Sequence, residues 1–265
     1  MSRFLRGLLS AGLCGALLTV SSGASLTAAV VHAPRIVVRV DQMPHPSGVG
    51  VAAAASFGWA SSNWSGYAVT GSVYTAVTGA WTVPTVTASR RASYSASWIG
   101  IDGFNNSDLI QTGTEQDATS GGTHYYAWWE ILPAAETQIT TFAVHPGDHM
   151  TASITKGTSG WTITISDASD RGTFSIVKSY SGPGTSAEWI EEAPTVGGRV
   201  ATLASYGETT FDPGTANGAN PGLVAADGGV MIQGRAQVST PSGPDSDSDG
   251  FNMQYGSTSP APPAS

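Results

Sequence analysis

The sequence predicts an all-β protein, a large antiparallel sandwich of two β-sheets. Apolar and polar residues alternate over many short segments, for example at Trp161, Ile163 and Ile165, which is the period of a half-buried strand. Gly, Pro, Asn and Asp separate these segments at short spacing, and no segment keeps a helical stripe. No repeat of fixed period occurs, which argues against a propeller and favours a sandwich.

Short strands are predicted along most of the chain. Those that carry polar residues of interest cover residues 64–70, 94–101, 108–113, 124–132 and 187–191, and a further strand is predicted over 200–206. Many short strands without helices are typical of a sandwich built from two antiparallel sheets.

The amino terminus has the pattern of an export signal. Arg3 and Arg6 precede an apolar stretch over residues 8–20, which is too short to span a bilayer, and small residues lead to a cleavage point after Ala24. Residues 1–24 are therefore predicted to be a signal peptide, and the mature chain to be extracellular and free of membrane. Cys14 is the only cysteine, so the mature chain lacks cysteine catalysis, disulfides and Cys-based zinc sites.

The rest of the chain divides into three parts. Residues 25–56 contain several prolines together with Arg35 and Arg39, and they form either a pro-segment or a spacer. Residues 57–256 form one sandwich domain. Residues 257–265 are rich in Pro, Ser and Ala and are predicted to be a disordered tail.

Charge excludes one class of partner. Only 11% of the residues are charged, against about 25% in an average protein. Beyond residue 56 there are seven basic and eighteen acidic residues, a formal charge of −11, which would repel nucleic acid. Because few positive charges remain once the carboxylates are protonated, the composition also predicts tolerance of acid. We expect a monomer.

Several catalytic classes lack their motifs. The sequence contains no Gly-x-Ser-x-Gly, no His-Glu-x-x-His and neither Asp-Thr-Gly nor Asp-Ser-Gly. Asp245, Asp247 and Asp249 before Gly250 imitate the start of a calcium loop, but Gly256 stands where the acidic twelfth ligand belongs. A solvated turn is the prediction there, with no metal ligands and no cofactor.

A few polar residues on predicted strands remain as candidates. Glu188 lies between Ala187 and Trp189, and a carboxylate in such an apolar segment either faces solvent or has a tuned pKa in a functional cleft. Trp128 and Glu130 share one strand face, and Gln111 lies on another strand. These residues alone do not decide between polar side chains that face solvent and polar side chains in a functional cleft.

Six ordered blocks resemble the eqolisin family of glutamic peptidases. They are SNWSGY at 62–67, TGAWTVP at 78–84, WIGIDG at 98–103, LIQTG at 109–113, YAWWE at 126–130 and AEWI at 187–190. The resemblance covers about residues 63–255. It implies a concanavalin-like jelly-roll sandwich, an acid endopeptidase that needs no metal, and polypeptide substrates.

The resemblance also implies roles for single residues. Gln111 matches the family's catalytic glutamine, and Glu188 is interpreted as its catalytic glutamate. In that mechanism the glutamate acts as general base and then acid on water, and the glutamine stabilises the oxyanion. Five residues are expected to line or support the site: Trp64, Trp98, Asp102, Trp128 and Glu130.

Two alternatives stay open. A glycosidase could use Glu188 and Glu130 as its carboxylate pair, although Gln111 would then have no obvious role. A lectin-like binding sandwich without catalysis is the second alternative. The chain also departs from fungal eqolisins in lacking their cysteines and in its short pro-segment, which leaves its activation route undecided.

Overall fold

The alternating segments of the sequence form strands throughout the structure, a computed structural model that describes residues 28–34, 37–39 and 57–265. The predicted signal peptide, residues 1–24, lies outside the described residues. A short 3-10 turn, Ala225–Asp227, lies between two of the described strands. The strands are β1 (Val30–Val31), β2 (Val37–Arg39), β3 (Trp59–Ser61), β4 (Trp64–Thr70), β5 (Ala76–Thr82), β6 (Ser93–Ile101), β7 (Ile110–Thr119), β8 (Gly122–Ile131), β9 (Thr137–Ile139), β10 (His149–Gly157), β11 (Gly160–Asp167), β12 (Gly172–Lys178), β13 (Ser186–Glu192), β14 (Thr195–Val196), β15 (Arg199–Val200), β16 (Glu208–Ala216), β17 (Gly228–Gln233), β18 (Ala236–Pro241) and β19 (Phe251–Tyr255).

Two layers of antiparallel strands make the predicted sandwich. One layer has the order β12-β11-β10-β5-β16-β19-β18, and the other has the order β17-β4-β13-β6-β7-β8-β9. The β17–β18 hairpin joins them into one continuous hydrogen-bonded path. This arrangement confirms the fold class that the alternation predicts.

The core lies between the two layers. Strand β11 buries every second residue, among them Trp161, Ile163 and Ile165, as its period predicts. The Trp189 indole donates 2.8 Å across the sandwich to the carbonyl oxygen of Thr78. A Cβ at Gly79 would lie 2.7 Å from Ile99 and 2.9 Å from Trp189, so a glycine is required for this close approach of the layers.

A second apolar cluster covers the opposite face of the β4-β13-β6-β7-β8 region. Successive side chains of a strand alternate between faces, so Trp189 of β13 enters the core while Ile190 joins this second cluster. The cluster comprises Trp59, Trp64, Ala68, Ala96, Trp98, Leu109, Trp128 and Ile190. The face that carries it also carries the polar candidates, and we call it the cleft face.

Two sequence predictions fail in the structure. In the segment predicted as a strand over 200–206, only Val200 belongs to a strand, whereas Leu203 makes a single bridge to Tyr94. Its apolar residues are buried although they form no hydrogen-bonded ladder with a neighbouring strand. Alternation of apolar and polar residues does not by itself distinguish such a buried loop from a strand. The tail predicted to be disordered is instead held by polar contacts. Asn252 Nδ2 donates to the carbonyl of Ala261 at 2.9 Å, and Ser259 Oγ donates to that of Pro241 at 2.8 Å.

None of the helices in the described ranges has the length and apolar character needed to cross a membrane.

Candidate active site

Four neighbouring strands bring the polar candidates onto the cleft face. Directly opposed residues of an antiparallel pair project to the same side of the sheet. Three successive rows therefore cross β13, β6, β7 and β8 on this face, and they are Glu188–Gly100–Gln111–Glu130, Ile190–Trp98–Gly113–Trp128 and Glu192–Ala96–Glu115–Tyr126.

An extended piece of the chain itself lies across these rows. Its strand β1 pairs antiparallel with β14, Val30 opposite Val196, and the following residue, His32, is completely buried. The His32 carbonyl accepts a 2.6 Å hydrogen bond from Gln111 Nε2, and its N–H donates to Glu130 at 3.0 Å. Asn63 Nδ2 donates to the next carbonyl, that of Ala33, at 2.9 Å. The cleft face thus binds the N–H and C=O groups of an extended peptide.

The His32 side chain occupies an acidic pocket. Its ring stacks on Trp128 with centroids 3.8 Å apart. Its Nε2 lies 2.9 Å from Glu136 and 3.6 Å from Glu115, and its Nδ1 lies 3.4 Å from Glu192. Burial by itself would lower the pKa of His32, but the hydrogen bond to Glu136 and the nearby carboxylate of Glu192 outweigh it and raise this pKa to about 10. The ring is therefore a cation in this pocket.

Glu192 is fixed beside the peptide that follows His32. Its Oε2 accepts a 2.8 Å hydrogen bond from the Trp98 indole, and its Oε1 accepts one of 3.1 Å from Asn63. Asn63 also holds the Ala33 carbonyl. The two donors orient the carboxylate, which is fully buried.

Gln111 is oriented by Glu130. The amide nitrogen of Gln111 donates both to the His32 carbonyl and, at 2.5 Å, to Glu130 Oε2. Gln111 Oε1 is buried and has no protein hydrogen-bond partner among the described residues. The amide therefore presents a donor to a bound carbonyl and leaves its own oxygen available as an acceptor.

Burial sets the acidity of Glu130. Desolvation raises its pKa to about 7, against the opposing effect of the positive charge on His32. Glu130 therefore keeps its proton through the acid range.

Glu188, interpreted from the sequence as the catalytic partner of Gln111, does not join this group. A Cβ at Gly100 would lie 2.8 Å from the Trp98 ring and 3.1 Å from Leu109, so these two side chains cover the strand position between Glu188 and Gln111. Both carboxylate oxygens of Glu188 are buried without a hydrogen-bond partner in the described part of the chain. Desolvation raises the pKa of Glu188 well above its usual value. The side chain is therefore a neutral, buried acid.

The other expected residues differ in their contacts. Trp128 stacks on the ring of His32, Trp98 donates to Glu192, and Trp64 packs edge-on against Trp98 with ring centroids 4.8 Å apart. Asp102 does not contact the segment. It adopts a positive φ of 71° and accepts hydrogen bonds from the N–H groups of Gly184 and Thr185, at 2.8 Å each. Asp102 thus ties the end of β6 to the residues that precede β13.

Sequence reasoning missed several residues of the site. Asn63 lies within the quoted block 62–67, and Glu192 follows the block 187–190 by two residues, on the same strand face as Glu188. The period-two pattern could therefore have offered Glu192 as an equal candidate. Glu115, Glu136 and His32 carry no local signal, because only the tertiary structure brings them together.

Comparison with known proteins identifies the family of this chain. Residues 62–255 match the model of the Peptidase A4 family. Aspergillopepsin-2 of Aspergillus niger is 30% identical over 199 residues, which cover 64% of this chain and 70% of that protein.

Two solved structures share the fold. A scytalido-glutamic peptidase with a transition-state analogue superposes with a TM-score of 0.62 at 21% identity, covering 73% of this chain and 98% of that one. Aspergilloglutamic peptidase from Aspergillus niger superposes with a TM-score of 0.53 at 21% identity, covering 62% and 99%. The chain belongs to the Peptidase A4 family, the eqolisins, and is a glutamic endopeptidase.

Proposed function

We propose that the cleft face hydrolyses peptide bonds with Gln111 and Glu192 as its catalytic pair. The bound segment around His32 carries this proposal, because it lies where an extended substrate would lie. Its carbonyl is held by Gln111, and the carboxylate of Glu192 is oriented beside the next peptide unit. The peptide bond between the counterparts of His32 and Ala33 is then the one that is cleaved.

The chemistry needs one water and no covalent intermediate. Ionised Glu192 takes a proton from the water while the oxygen adds to the carbonyl carbon. Gln111 Nε2 donates to the oxyanion that forms, from the position in which it holds the His32 carbonyl. As the carbon–nitrogen bond breaks, Glu192 returns the proton to the leaving nitrogen.

Gln111 has a second task in this scheme. Its unpartnered Oε1 can accept a hydrogen bond from the attacking water and so aim the lone pair at the carbonyl carbon. Glu130 supports this by holding the amide nitrogen of Gln111 at 2.5 Å. The amide then cannot turn its oxygen toward the substrate carbonyl.

The polar groups of the cleft face favour a peptide over a sugar. Gln111, Glu130 and Asn63 each engage a backbone N–H or C=O of the bound segment. A glycosidase or a lectin-like module does not need such a ladder. Peptide recognition accounts for all three contacts.

Export and action in acid belong to the same proposal. The support for export is the charged and apolar pattern of residues 1–24. The support for acid action is the raised pKa of Glu130 together with the low content of basic residues. We propose a secreted monomer that digests polypeptides in acid surroundings.

A pair of isosteric substitutions tests the catalytic assignment. Glu192→Gln removes the general base and keeps one of its two acceptor oxygens, and we expect kcat to fall about 10²–10⁴-fold. Glu188→Gln is the matched control, four residues away on the same strand face, and we expect it to retain activity within several-fold. The measurement is casein hydrolysis in acid, with circular dichroism to show that both variants are folded.

The reverse result would reject the pairing. If Glu188→Gln lost activity and Glu192→Gln kept it, the sequence interpretation of Glu188 would be restored. Loss in neither variant would contradict a glutamate mechanism on this face.

A further inference from the structure

A second acidic pocket, distinct from the one around His32, lies away from the cleft face, where the loop before β19 meets β16. Asp245 and Asp249 of the loop and Asp212 of β16 each offer one oxygen, and these atoms all lie within 4.8 Å of one another. The sequence predicts a solvated turn here without metal ligands. The structure differs, because Asp245 is only 7% exposed.

The loop is folded so that carboxylates converge. The N–H of Asp249 donates to Asp245 Oδ1 at 3.1 Å, and the N–H of Asp245 donates to the Gly250 carbonyl at 3.0 Å. A Cβ at Gly250 would lie 2.5 Å from Asp245 Oδ2 and 2.7 Å from Asp212 Cγ. Only a glycine allows the two acids to approach the same point.

One oxygen in this pocket has no partner. Asp245 Oδ2 is buried and accepts no hydrogen bond from any described residue, although its neighbour Oδ1 is used by the loop. A buried carboxylate oxygen without a donor is costly. Its position beside Asp212 makes a ligand the simplest way to satisfy it.

Within the described ranges, no basic side chain forms an ion pair with the carboxylates of Asp212, Asp245 and Asp249. Among the described residues, every ion pair within 4.0 Å involves His32 or His145, and none reaches this pocket. Asp247, which is exposed on the same loop, adds a fourth carboxylate. The ionised pocket therefore lacks a positive charge of its own.

We propose that Asp212, Asp245 and Asp249 bind a calcium ion that fastens the loop of residues 242–250 to β16. Calcium accepts carboxylate oxygens at roughly 2.3–2.6 Å, so two ligands of one ion lie at most about 5 Å apart, and all three donors meet this limit. Flexible calcium geometry tolerates further ligands from water or backbone, whereas magnesium demands a tighter octahedron. The role is structural, since none of these aspartates takes part in the chemistry at Gln111.

Calorimetric titration of the full chain with calcium chloride tests the proposal. After EDTA treatment and dialysis at about pH 6, where exposed aspartates are ionised, we expect one site per chain. Saturating calcium should raise Tm by roughly 5 °C or more, and magnesium should do so less. Asp245→Asn and Asp249→Asn should each weaken calcium binding at least about tenfold.

The matched control is Asp170→Asn, an exposed aspartate beside His145 that changes the charge equally. It should keep the full calcium response. Absence of binding heat and of a Tm shift in the wild type would overturn the proposal, and so would an undiminished response in Asp249→Asn. If Asp245→Asn fails to fold, the half-buried Asp249 still decides the question.

Discussion

At the scale of single residues, two glutamates of β13 show how neighbours decide a role. Glu188 and Glu192 lie on the same face of the same strand, four residues apart. Glu192 accepts hydrogen bonds from Trp98 and Asn63, whereas Glu188 accepts none from the described residues. A buried carboxylate without donors is stable only when it is protonated. Under the proposed function Glu192 is the general base, whereas Glu188, whose pKa is raised by burial, is a neutral part of the packing.

The pH profile should depend on Glu130. Burial raises its pKa to about 7, and two carboxylates around one bound peptide do not both ionise cheaply. We expect activity to require neutral Glu130 and to fall as the pH rises through about 7. Glu130→Gln imitates the protonated form, so this alkaline limb should move to higher pH while activity in acid is retained. The check is kcat against pH for both proteins.

A wild-type optimum at neutral or alkaline pH would contradict this prediction. So would an alkaline limb that stays in place after the substitution, since another group would then control it.

At the scale of elements, the segment Val30–Pro34 occupies the cleft face and leaves no room for a substrate peptide. The segment binds Gln111, Glu130 and Asn63 through its backbone, and stacks its imidazolium on Trp128. Substrate needs the same groups under the proposed function. The proposed function therefore favours the interpretation of residues 25–56 as a pro-segment, which stays a prediction.

The full chain should become active only after this segment leaves. The carboxylates of Glu136 and Glu192 lie against the His32 cation, and this attraction holds the segment on the cleft face. His32→Ala removes the cation and the stacking, and we expect the lag before casein hydrolysis at about pH 5 to shorten several-fold relative to wild type. The measurement is a progress curve for each full chain, with amino-terminal sequencing of the product.

Val30→Ala is the matched control, because Val30 lies in the same strand outside the acidic pocket. An unchanged lag in His32→Ala, or an equal effect in Val30→Ala, would show that the imidazolium does not hold the segment.

At the scale of the whole molecule, the buried acids favour folding in acid. Burial raises the pKa values of Glu115, Glu188 and Glu191 well above their usual range, and those of Asp117 and Glu130 to about 7. In the unfolded chain the same groups titrate near about 4. Between the unfolded and the folded pKa values, the folded state therefore binds more protons than the unfolded state.

This difference in proton binding between the folded and unfolded states gives the sign of the pH dependence of stability. A group whose pKa is raised by folding contributes its full stability below the unfolded pKa, and that contribution is lost as the pH rises toward the folded pKa. We expect Tm to be highest in acid and to fall steadily from about pH 4.5 to beyond about pH 7. Thermal unfolding followed by circular dichroism across this range is the measurement.

Glu188→Gln should flatten part of this fall, because the neutral amide has no proton to lose. A Tm that rises between about pH 4.5 and about pH 7 would contradict the argument, since it would require acids stabilised in their charged form.

Fold class, the strands of the cleft face and Gln111 could all be predicted from the sequence. Alternation reports which face a residue occupies, and this information is local along each strand. The ends of β4 follow from this pattern. The places of Trp98, Trp128 and Glu130 in the site, and the interpretation of Glu188 as the catalytic glutamate, come instead from the resemblance to the eqolisins. Alternation does not choose between Glu188 and Glu192, since both lie on the same face of β13.

Sequence by itself thus determined the all-β sandwich, the family, and the strand faces that carry Gln111 and Glu130. Only the tertiary structure decided which glutamate faces a bound peptide, that His32 enters an acidic pocket, and that Asp212 meets Asp245. The physical reason is that strand alternation depends on neighbours in sequence. Register, the covering of Gly100 by Trp98, and the desolvation of a carboxylate depend on residues distant in the chain.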